Sequence, residues 1–185
     1  MDKIEIKNAT IVDGLGGNPY VGNIYLNDGK IIAITHGESL SYDISIDATG
    51  KIVTPGFIDL HTHSDVSFLL DSTAQSKIRQ GVTLELIGNC GTSFCAPLIG
   101  DARDMFDAWV KDYTDSYTPD WTDYAGYIDA SKKAGATLNV AFQIGHASLR
   151  LAVMGQDDRA PSADELTEMK RLAGESLDAG ALGFS

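Results

Sequence analysis

The sequence has little of what marks secreted, membrane-spanning or nucleic-acid-binding proteins. Its 185 residues include only two cysteines, too few for the disulfide framework of a small secreted domain. No apolar run approaches the roughly 20 residues that cross a bilayer, and the first residues lack the apolar segment of a signal peptide. Basic residues number 14 against 26 acidic ones, a balance that repels phosphate backbones and anionic lipid. We therefore expect a cytoplasmic protein without nucleic-acid or membrane partners.

The composition that is present belongs to a folded domain. Hydrophobic residues make up 43% of the chain and charged residues 22%, which excludes disordered, collagen-like and low-complexity classes. The first fifty or so residues alternate apolar and polar positions as β-strands do, and Asn27-Asp28-Gly29 predicts a tight hairpin turn between two of them. No helix is expected before about Ser72.

Helices and apolar strands alternate after that point. We predict a short helix over STAQSKIRQG that is capped by Ser72, helices over DARDMFDAWVKDY and about residues 120–134, and a helix that begins at a capping box of Ser162 and Glu165. Four candidate strands accompany them, of which the second is expected to be buried on both faces: Phe57–His61, Thr83–Gly88, Asn139–Ile144 and Ala181–Ser185. This order predicts an α/β fold with βα units on a parallel sheet. Because a closed (β/α)₈ barrel needs eight strands and about 250 residues, four strands supply half of one.

Two histidines at the end of the first candidate strand are the strongest local signal. In PGFIDLHTHSD, His61 and His63 are two positions apart, so both imidazoles point to the same side of an extended segment. The carboxyl ends of barrel strands form the active-site face, and imidazole nitrogen suits Zn²⁺ and similar ions. The alternative is a pair of ordinary polar residues at a strand end. The preceding Pro-Gly, the strand itself and the trailing Asp65 favour a metal site.

A cysteine in GNCG follows the second candidate strand. Cys90 lies between small and polar residues, where its sulfur is able to reach the open rim of the sheet as a zinc-binding thiolate. The alternative is a small buried residue, the commoner fate of a cytosolic cysteine. Cys95 completes a C-x₄-C spacing that would suit a zinc knuckle or a disulfide, but no second cysteine pair accompanies it. We expect Cys95 to be a buried thiol.

Three further polar residues are open to more than one interpretation. His146 follows the third strand in GHASLR and is taken as a substrate-binding candidate, although it would also suit a metal ligand or a loop hydrogen bond. Arg150 would pair with a substrate carboxylate or brace the acidic loop near Asp157. Asp59 shares the strand face of His61 and would tune that ligand or simply line the barrel interior. We interpret His36 as a solvated turn residue.

Taken in order along the chain, these motifs resemble the amidohydrolase superfamily, and most closely its N-acyl-D-amino-acid deacylase (D-aminoacylase) branch. That branch combines a VDG-type leader, PGFIDxHTHxD, QGVT leading to GNCG, GHxxLR-xxVMG and GALGFS. The corresponding segments here follow an IVDGLGGNPY leader and lie at Pro55–Asp65, Gln80–Gly91, Gly145–Gly155 and Gly180–Ser185. H-x-H alone fits many metal hydrolases, whereas H-x-H followed by GNCG is typical of this branch.

The resemblance implies both a fold and a site. Residues 1–54 would be the N-terminal part of an accessory β-sandwich, and residues 55–185 the first half of a (β/α)₈ TIM-like barrel. His61 and His63 would bind one metal position, and Cys90 would replace the carboxylated lysine of many relatives, with one or two zinc ions. In such enzymes zinc polarises the amide carbonyl of an N-acyl-D-amino acid and acidifies a water, and an aspartate after the last strand moves the proton.

The resemblance also places that aspartate and two further histidine ligands after Ser185, so we identify no catalytic residue in this chain. We expect the isolated chain not to hydrolyse N-acetyl-D-amino acids, even with zinc added. A cyclic amidohydrolase of the dihydropyrimidinase or dihydroorotase type is the nearest rival, but its metal-bridging lysine is missing from ALGFS. A non-catalytic half-barrel that self-associates through exposed strand edges is the alternative of a different class.

Overall fold

The chain divides into two compact units, and the boundary lies between Pro55 and Gly56. A computed structural model describes residues 2–114 and 117–185. Within those ranges, none of the helices has the length and apolar character that a membrane span requires.

The first unit is a mixed β-sheet. Its strands are β1 (Ile4–Ile11), β2 (Tyr20–Asn27), β3 (Lys30–Thr35), β4 (Ile44–Asp47) and β5 (Ile52–Val53). The order is β3-β2-β1-β4, with β5 also beside β1; β1 runs antiparallel to β2 and parallel to β4 and β5. The predicted hairpin is confirmed, because Asp28 and Gly29 turn with φ values of 48° and 72° between the paired strands β2 and β3.

The second unit is a curved parallel sheet with interspersed helices. Its elements are β6 (Phe57–Asp59), α1 (Ser67–Leu70), α2 (Gln75–Ile78), β7 (Val82–Ile87), α3 (Gly100–Lys111), α4 (Tyr124–Ala134), β8 (Asn139–Ile144), α5 (His146–Met154), α6 (Ala163–Asp178) and β9 (Gly183–Phe184). The strands lie in chain order, β6-β7-β8-β9, and every pair is parallel. The carboxyl ends of all four strands therefore lie at one edge of the sheet.

The expectation of no helix before about Ser72 is wrong. Helix α1 is a single turn, too short to show a periodic pattern. It is stabilised by packing, because Phe68 is buried and meets the ring of Tyr127 edge-on at 6.3 Å. Helix α5 is not among the predicted helices either, because its sequence follows a strand so directly that no separate helix start is evident.

The predicted cap of α2 is also wrong. Ala74 occupies the N-cap position and makes no side-chain capping bond. Ser72 is used differently, because its carbonyl accepts hydrogen bonds from the backbone N–H and the hydroxyl of Thr137 at 3.0 and 3.1 Å. The capping box of α6 is confirmed, since Ser162 and Glu165 bond reciprocally.

Strand β7 is not buried on both faces, which corrects the expectation for the second candidate strand. Glu85 and Ile87 are buried on one face, whereas Leu84 and Leu86 keep part of their surface exposed. The described residues cover the face of Leu84 and Leu86 only in part.

Aromatic residues between the sheet and the helices form the core of the second unit. Phe106, Trp121 and Tyr127 are at most 2% exposed, and Phe106 and Tyr127 each pack edge-on against Trp121. Such tilted and edge-on arrangements add roughly 0.5–1.5 kcal/mol per pair beyond the burial of area. Helix α6 contributes Met169 to this core, while its Leu166 and Leu177 remain exposed.

Candidate metal centre

The histidines lie on a loop that begins where β6 ends. Asp59 Oδ1 accepts a hydrogen bond from the backbone N–H of His61 at 3.1 Å, and this local turn ends the strand two residues earlier than predicted. The hydrogen bond from Lys77, and then that of the His61 backbone, hold the pKa of Asp59 below its ordinary value. Asp59 thus fixes the backbone of His61, and its second oxygen is taken by Lys77 at 2.7 Å.

Lys77 connects this loop to the sheet. Its Nζ donates to Asp59 Oδ2 and to the hydroxyl of Thr62 at 3.0 Å, and it forms an ion pair with the buried Glu85 at 2.9 Å. Burial opposes the charge on the ammonium, but Asp59 and Glu85 outweigh burial and raise the pKa of Lys77. Sequence patterns gave no indication of Lys77, because it lies in the middle of a short helix with nothing distinctive around it.

Cys90 lies in a tight turn at the end of β7. The carbonyl of Asn89 accepts the N–H of Thr92 at 3.1 Å, and the two central residues, Cys90 and Gly91, have φ values of 56° and 74°. Positive φ at both central positions is the pattern of a type I′ turn. A side chain in the left-handed region costs about 1–2 kcal/mol, so Cys90 is held in a strained conformation with its side chain exposed.

Close backbone packing requires the first glycine of GNCG. A Cβ on Gly88, where φ is 81°, would lie 2.0 Å from the carbonyl oxygen of Gln143 on the next strand. The carbonyl of Gly91 accepts the N–H of Ala147 at 2.7 Å, in the first turn of α5. The turn is thereby fixed between the end of β8 and the start of α5.

The two loops bring their donor atoms together. Sγ of Cys90 lies 3.1 Å from Nε2 of His61, and one donor atom each of His61, His63 and Cys90 all lie within 4.8 Å of one another. In a tetrahedral zinc site, bond lengths of about 2.0–2.3 Å separate the donors by about 3.3–3.8 Å. All three side chains are exposed and available to a ligand.

Asp65 ties the far end of the histidine loop to the protein interior. It is 2% exposed, its Oδ1 accepts the N–H of Phe94 at 3.3 Å, and its backbone carbonyl accepts the hydroxyl of Tyr127. Burial raises the pKa of Asp65, against the effect of backbone N–H groups from Phe94 and Gly88. The sequence showed Asp65 only as an acidic residue that trails the histidines, and the structure shows it as an anchor.

The remaining candidates lie in different surroundings. His146 begins α5 at the same edge of the sheet; it is exposed, and its ring centroid is 5.9 Å from that of Phe184. It is not one of the three residues in the metal-ligand cluster of the described chain. Arg150 donates to the backbone carbonyls of Asp157 and Arg159 at 3.2 and 3.0 Å, so it braces that loop.

The other cysteine and histidine take no part in the cluster. Cys95 is fully buried and forms no disulfide bond. Burial, followed by the charge of Asp65, raises the pKa of its thiol to about 12. This confirms the prediction of a buried thiol and excludes the C-x₄-C disulfide. His36 is exposed after β3, with its ring 5.2 Å from Tyr20.

The chain matches known proteins along most of its length. The model of the amidohydrolase family matches residues 45–185. N-acyl-D-glutamate deacylase of Alcaligenes xylosoxydans xylosoxydans is 38% identical over 181 residues, which are 97% of this chain and 36% of the relative. The chain thus spans about a third of the length of the curated relatives that it matches.

Two solved structures are similar in fold. The N-acyl-D-glutamate deacylase of Bordetella bronchiseptica, in complex with zinc and a phosphonate inhibitor, has a TM-score of 0.81 and 35% identity over 98% of this chain and 37% of its own. A D-aminoacylase described by its binuclear metal centre has a TM-score of 0.86 and 34% identity, with the same coverage. The mixed sheet and the curved parallel half-barrel match the fold of these enzymes.

Proposed function

Because this chain belongs to the amidohydrolase family, we propose that it supplies the zinc site of an enzyme that hydrolyses the amide bond of N-acyl-D-amino acids to a D-amino acid and a carboxylate. The observation that carries the proposal is the convergence of His61, His63 and Cys90, with donor atoms within 4.8 Å at the carboxyl edge of a parallel sheet. That edge is where barrel enzymes bind their substrates. One or two zinc ions are proposed, in line with the zinc complex and the binuclear centre of the similar structures.

The donor set fits zinc. Two imidazoles and a thiolate are ligands that zinc prefers, whereas Mg²⁺ and Ca²⁺ take carboxylate and carbonyl oxygens. Zinc, when bound, polarises an amide carbonyl and lowers the pKa of a water. His61 and His63 would bind as neutral imidazoles and Cys90 as a thiolate, and three protein ligands are typical of sites that leave a position for substrate or water.

The proposal also assigns a domain to each of the two units and a function to His146. The first unit, up to Pro55, would be the N-terminal part of an accessory β-sandwich, and the second the first half of a (β/α)₈ barrel. His146 would bind substrate, because its exposed ring lies at the same sheet edge as the cysteine turn, next to Ala147, which bonds Gly91. The N-acyl-D-amino acid is the proposed small-molecule partner.

Zinc binding tests the site directly. We expect the chain to bind zinc and to develop a thiolate-to-metal charge-transfer band when titrated with Co²⁺. His61→Ala and His63→Ala should weaken metal binding at least about 10-fold, and Cys90→Ser should also remove the band. Matched controls are His36→Ala, an exposed histidine of the first unit, and Cys95→Ala, the buried thiol. A wild-type chain that binds no zinc, or a Cys90→Ser chain that keeps the band, would refute the site.

The substrate class needs a separate experiment on the protein that the natural gene encodes. We expect zinc-dependent release of D-amino acids from N-acetyl-D-amino acids, and no release by the His61→Ala variant. Ring opening of dihydropyrimidines or dihydroorotate, without cleavage of N-acyl-D-amino acids, would replace this proposal by a cyclic amidohydrolase.

Self-association is a second candidate, favoured by apolar residues on the outer strands of the parallel sheet. Phe57 and Ile58 on β6 and Phe184 on β9 are each more than half exposed. Apolar edge strands promote pairing with further strands. Sedimentation velocity of the zinc-loaded chain distinguishes the two: a monomer that retains zinc supports the enzyme site, and a metal-free oligomer supports the self-associating module.

A further inference from the structure

Asn89 precedes Cys90 and is buried, with 4% of its surface exposed. Its side-chain amide is bonded to three residues, two of which are distant in the sequence. Nδ2 donates to the carbonyl of Thr62 at 3.0 Å and to that of Leu86 at 2.7 Å, and Oδ1 accepts from Nε2 of Gln143 at 2.7 Å. Both the nitrogen and the oxygen of this amide therefore have hydrogen-bond partners.

The bond to Thr62 joins the two halves of the metal centre. Thr62 lies between His61 and His63, and Asn89 is covalently next to Cys90. One side chain therefore links the backbone of the histidine loop to the backbone of the cysteine turn. The bonds to Leu86 and Gln143 fix that side chain on β7 and β8, so the link is rigid at the sheet.

The other restraints on the histidine loop act elsewhere. Asp59 bonds the backbone of His61, and Lys77 bonds the hydroxyl of Thr62, but both hold the loop towards β6 and α2. Asp65 fixes the far end of the loop at Phe94. Asn89, by contrast, bonds the histidine loop directly to the cysteine turn, through the carbonyl of Thr62.

The chemistry of this position favours an amide. It must donate twice to carbonyl oxygens and accept once from an N–H group, which asparagine does and aspartate does not. The turn that it anchors also holds Cys90 at a φ of 56°, a conformation that persists only where its surroundings determine it.

We propose that Asn89 is a positioning residue that sets the distance between the Cys90 sulfur and the two histidines, and thereby the affinity of the site for zinc. The inference rests on the proposed zinc site and adds a residue to it. Residues that orient metal ligands typically change metal affinity about 10–100-fold when they are replaced.

The test compares Asn89→Ala, Gln143→Ala and the control Asn139→Ala. Asn139 is matched in type and place, because its Nδ2 bonds the carbonyl of Thr83 at 3.0 Å and so joins the same two strands at their other end. Zinc affinity is measured by competition with a chelating dye, and the sulfur contact by the Co²⁺ charge-transfer band. Unfolding in urea, followed by tryptophan fluorescence, verifies that each variant is folded.

We expect Asn89→Ala to weaken zinc binding about 10–100-fold and to lower the thiolate band relative to the d–d bands, because cobalt then binds the histidines without a well-placed sulfur. Gln143→Ala should have a smaller effect in the same direction, and Asn139→Ala should have none.

Should the wild-type chain fail to bind zinc, the proposed function itself fails. If the wild type binds zinc and Asn89→Ala keeps its affinity, or loses affinity with the band in unchanged proportion, the positioning role is refuted alone. If Asn89→Ala does not fold, the graded effect of Gln143→Ala on the band decides.

Discussion

Cys90 and His61 are 29 positions apart in the sequence, yet Sγ of the first lies 3.1 Å from Nε2 of the second. The other cysteine, Cys95, is five residues further along and is completely buried. Two thiols so close in the sequence therefore differ in exposure, in neighbours and in chemistry. This difference allows a direct test of the site with reagents that alkylate thiols.

Alkylation by iodoacetamide should modify Cys90 and leave Cys95 intact in the folded chain. Only the thiolate reacts, and burial raises the pKa of Cys95 to about 12, so this thiol remains protonated at pH 8. Bound zinc should slow the alkylation of Cys90. Peptide mass spectrometry of the alkylated chain, with and without zinc, measures both rates. Equal labelling of the two cysteines in the folded chain would contradict the structure.

Gly88→Ala should destabilise the second unit strongly. The added Cβ would lie 2.0 Å from the carbonyl of Gln143, and φ is 81°, so steric overlap adds to left-handed strain. We expect a loss of about 2–5 kcal/mol in the free energy of unfolding. Because the chain has two tryptophans and both, Trp109 and Trp121, lie in the second unit, fluorescence during urea unfolding reports this unit.

Gly135→Ala is the matched control for that substitution. Gly135 also has a positive φ, 69°, but a Cβ there would meet no atom within 4 Å. It should cost only the left-handed strain, about 1–2 kcal/mol. A loss for Gly88→Ala no larger than for Gly135→Ala would show that the contact with Gln143 is not tight.

Tyr127→Phe and Tyr124→Phe should have different effects on stability. Both rings are buried and pack edge-on against Phe142, at 5.3 and 5.7 Å. The hydroxyl of Tyr127 donates to the carbonyl of Asp65, whereas that of Tyr124 has no hydrogen-bond partner among the described residues. Removing a bonded group leaves its buried partner unpaired, while removing an unpaired hydroxyl removes only its desolvation cost.

We therefore expect Tyr127→Phe to lower the free energy of unfolding by about 1–3 kcal/mol, and Tyr124→Phe to leave it unchanged or raise it by up to about 1 kcal/mol. Tryptophan fluorescence in urea measures both. A destabilising effect of Tyr124→Phe as large as that of Tyr127→Phe would indicate a hydrogen bond that the structure does not show.

The sequence predicts the cluster of candidate metal ligands because a simple rule applies to it. Carboxyl ends of parallel strands meet at one edge of a sheet, so residues that follow neighbouring strands become neighbours. His61 follows β6 and Cys90 follows β7, and the structure brings them together. The alternation of helices and strands predicts the parallel sheet for the same reason, since each helix returns the chain to the starting edge.

The supports of the cluster follow no such rule. Asn89 bonds Thr62 and Gln143, which lie 27 residues before it and 54 residues after it. These contacts depend on the side-chain positions that the completed fold sets, and no local spacing encodes them. The early end of β6 has a similar origin. The Asp59 carboxylate accepts a hydrogen bond from the N–H of His61, and a longer strand would need that N–H for pairing with its neighbour.

Glu165→Gln should lower stability at neutral pH and have a diminishing effect in acid. The hydrogen bond from Arg159, and then the backbone N–H of Ser162, lower the pKa of Glu165 from 4.5 to about 2. A carboxylate whose pKa is lowered by folding stabilises the folded state at any pH above the pKa that it has in the unfolded chain. This contribution is lost as the pH falls from about 4.5 to about 2. Glutamine is able to keep the capping bond to Ser162 through its amide oxygen, but it loses the charge and one of the two hydrogen bonds from Arg159, so the substitution tests the pairing with Arg159 and leaves the cap in place.

Urea midpoints of the wild type and Glu165→Gln, measured between pH 7 and pH 2, should therefore be separated above about pH 5 and converge at the acid end. The gap should also narrow in high salt, because the pair with Arg159 is partly exposed. Glu168→Gln is the control on the same helix. Glu168 caps nothing, and Arg171, its partner, keeps a second pair with Glu175, so its effect should be smaller. A gap for Glu165→Gln that stays constant down to pH 2 would show that the loss of stability does not come from the charge, and would contradict this prediction.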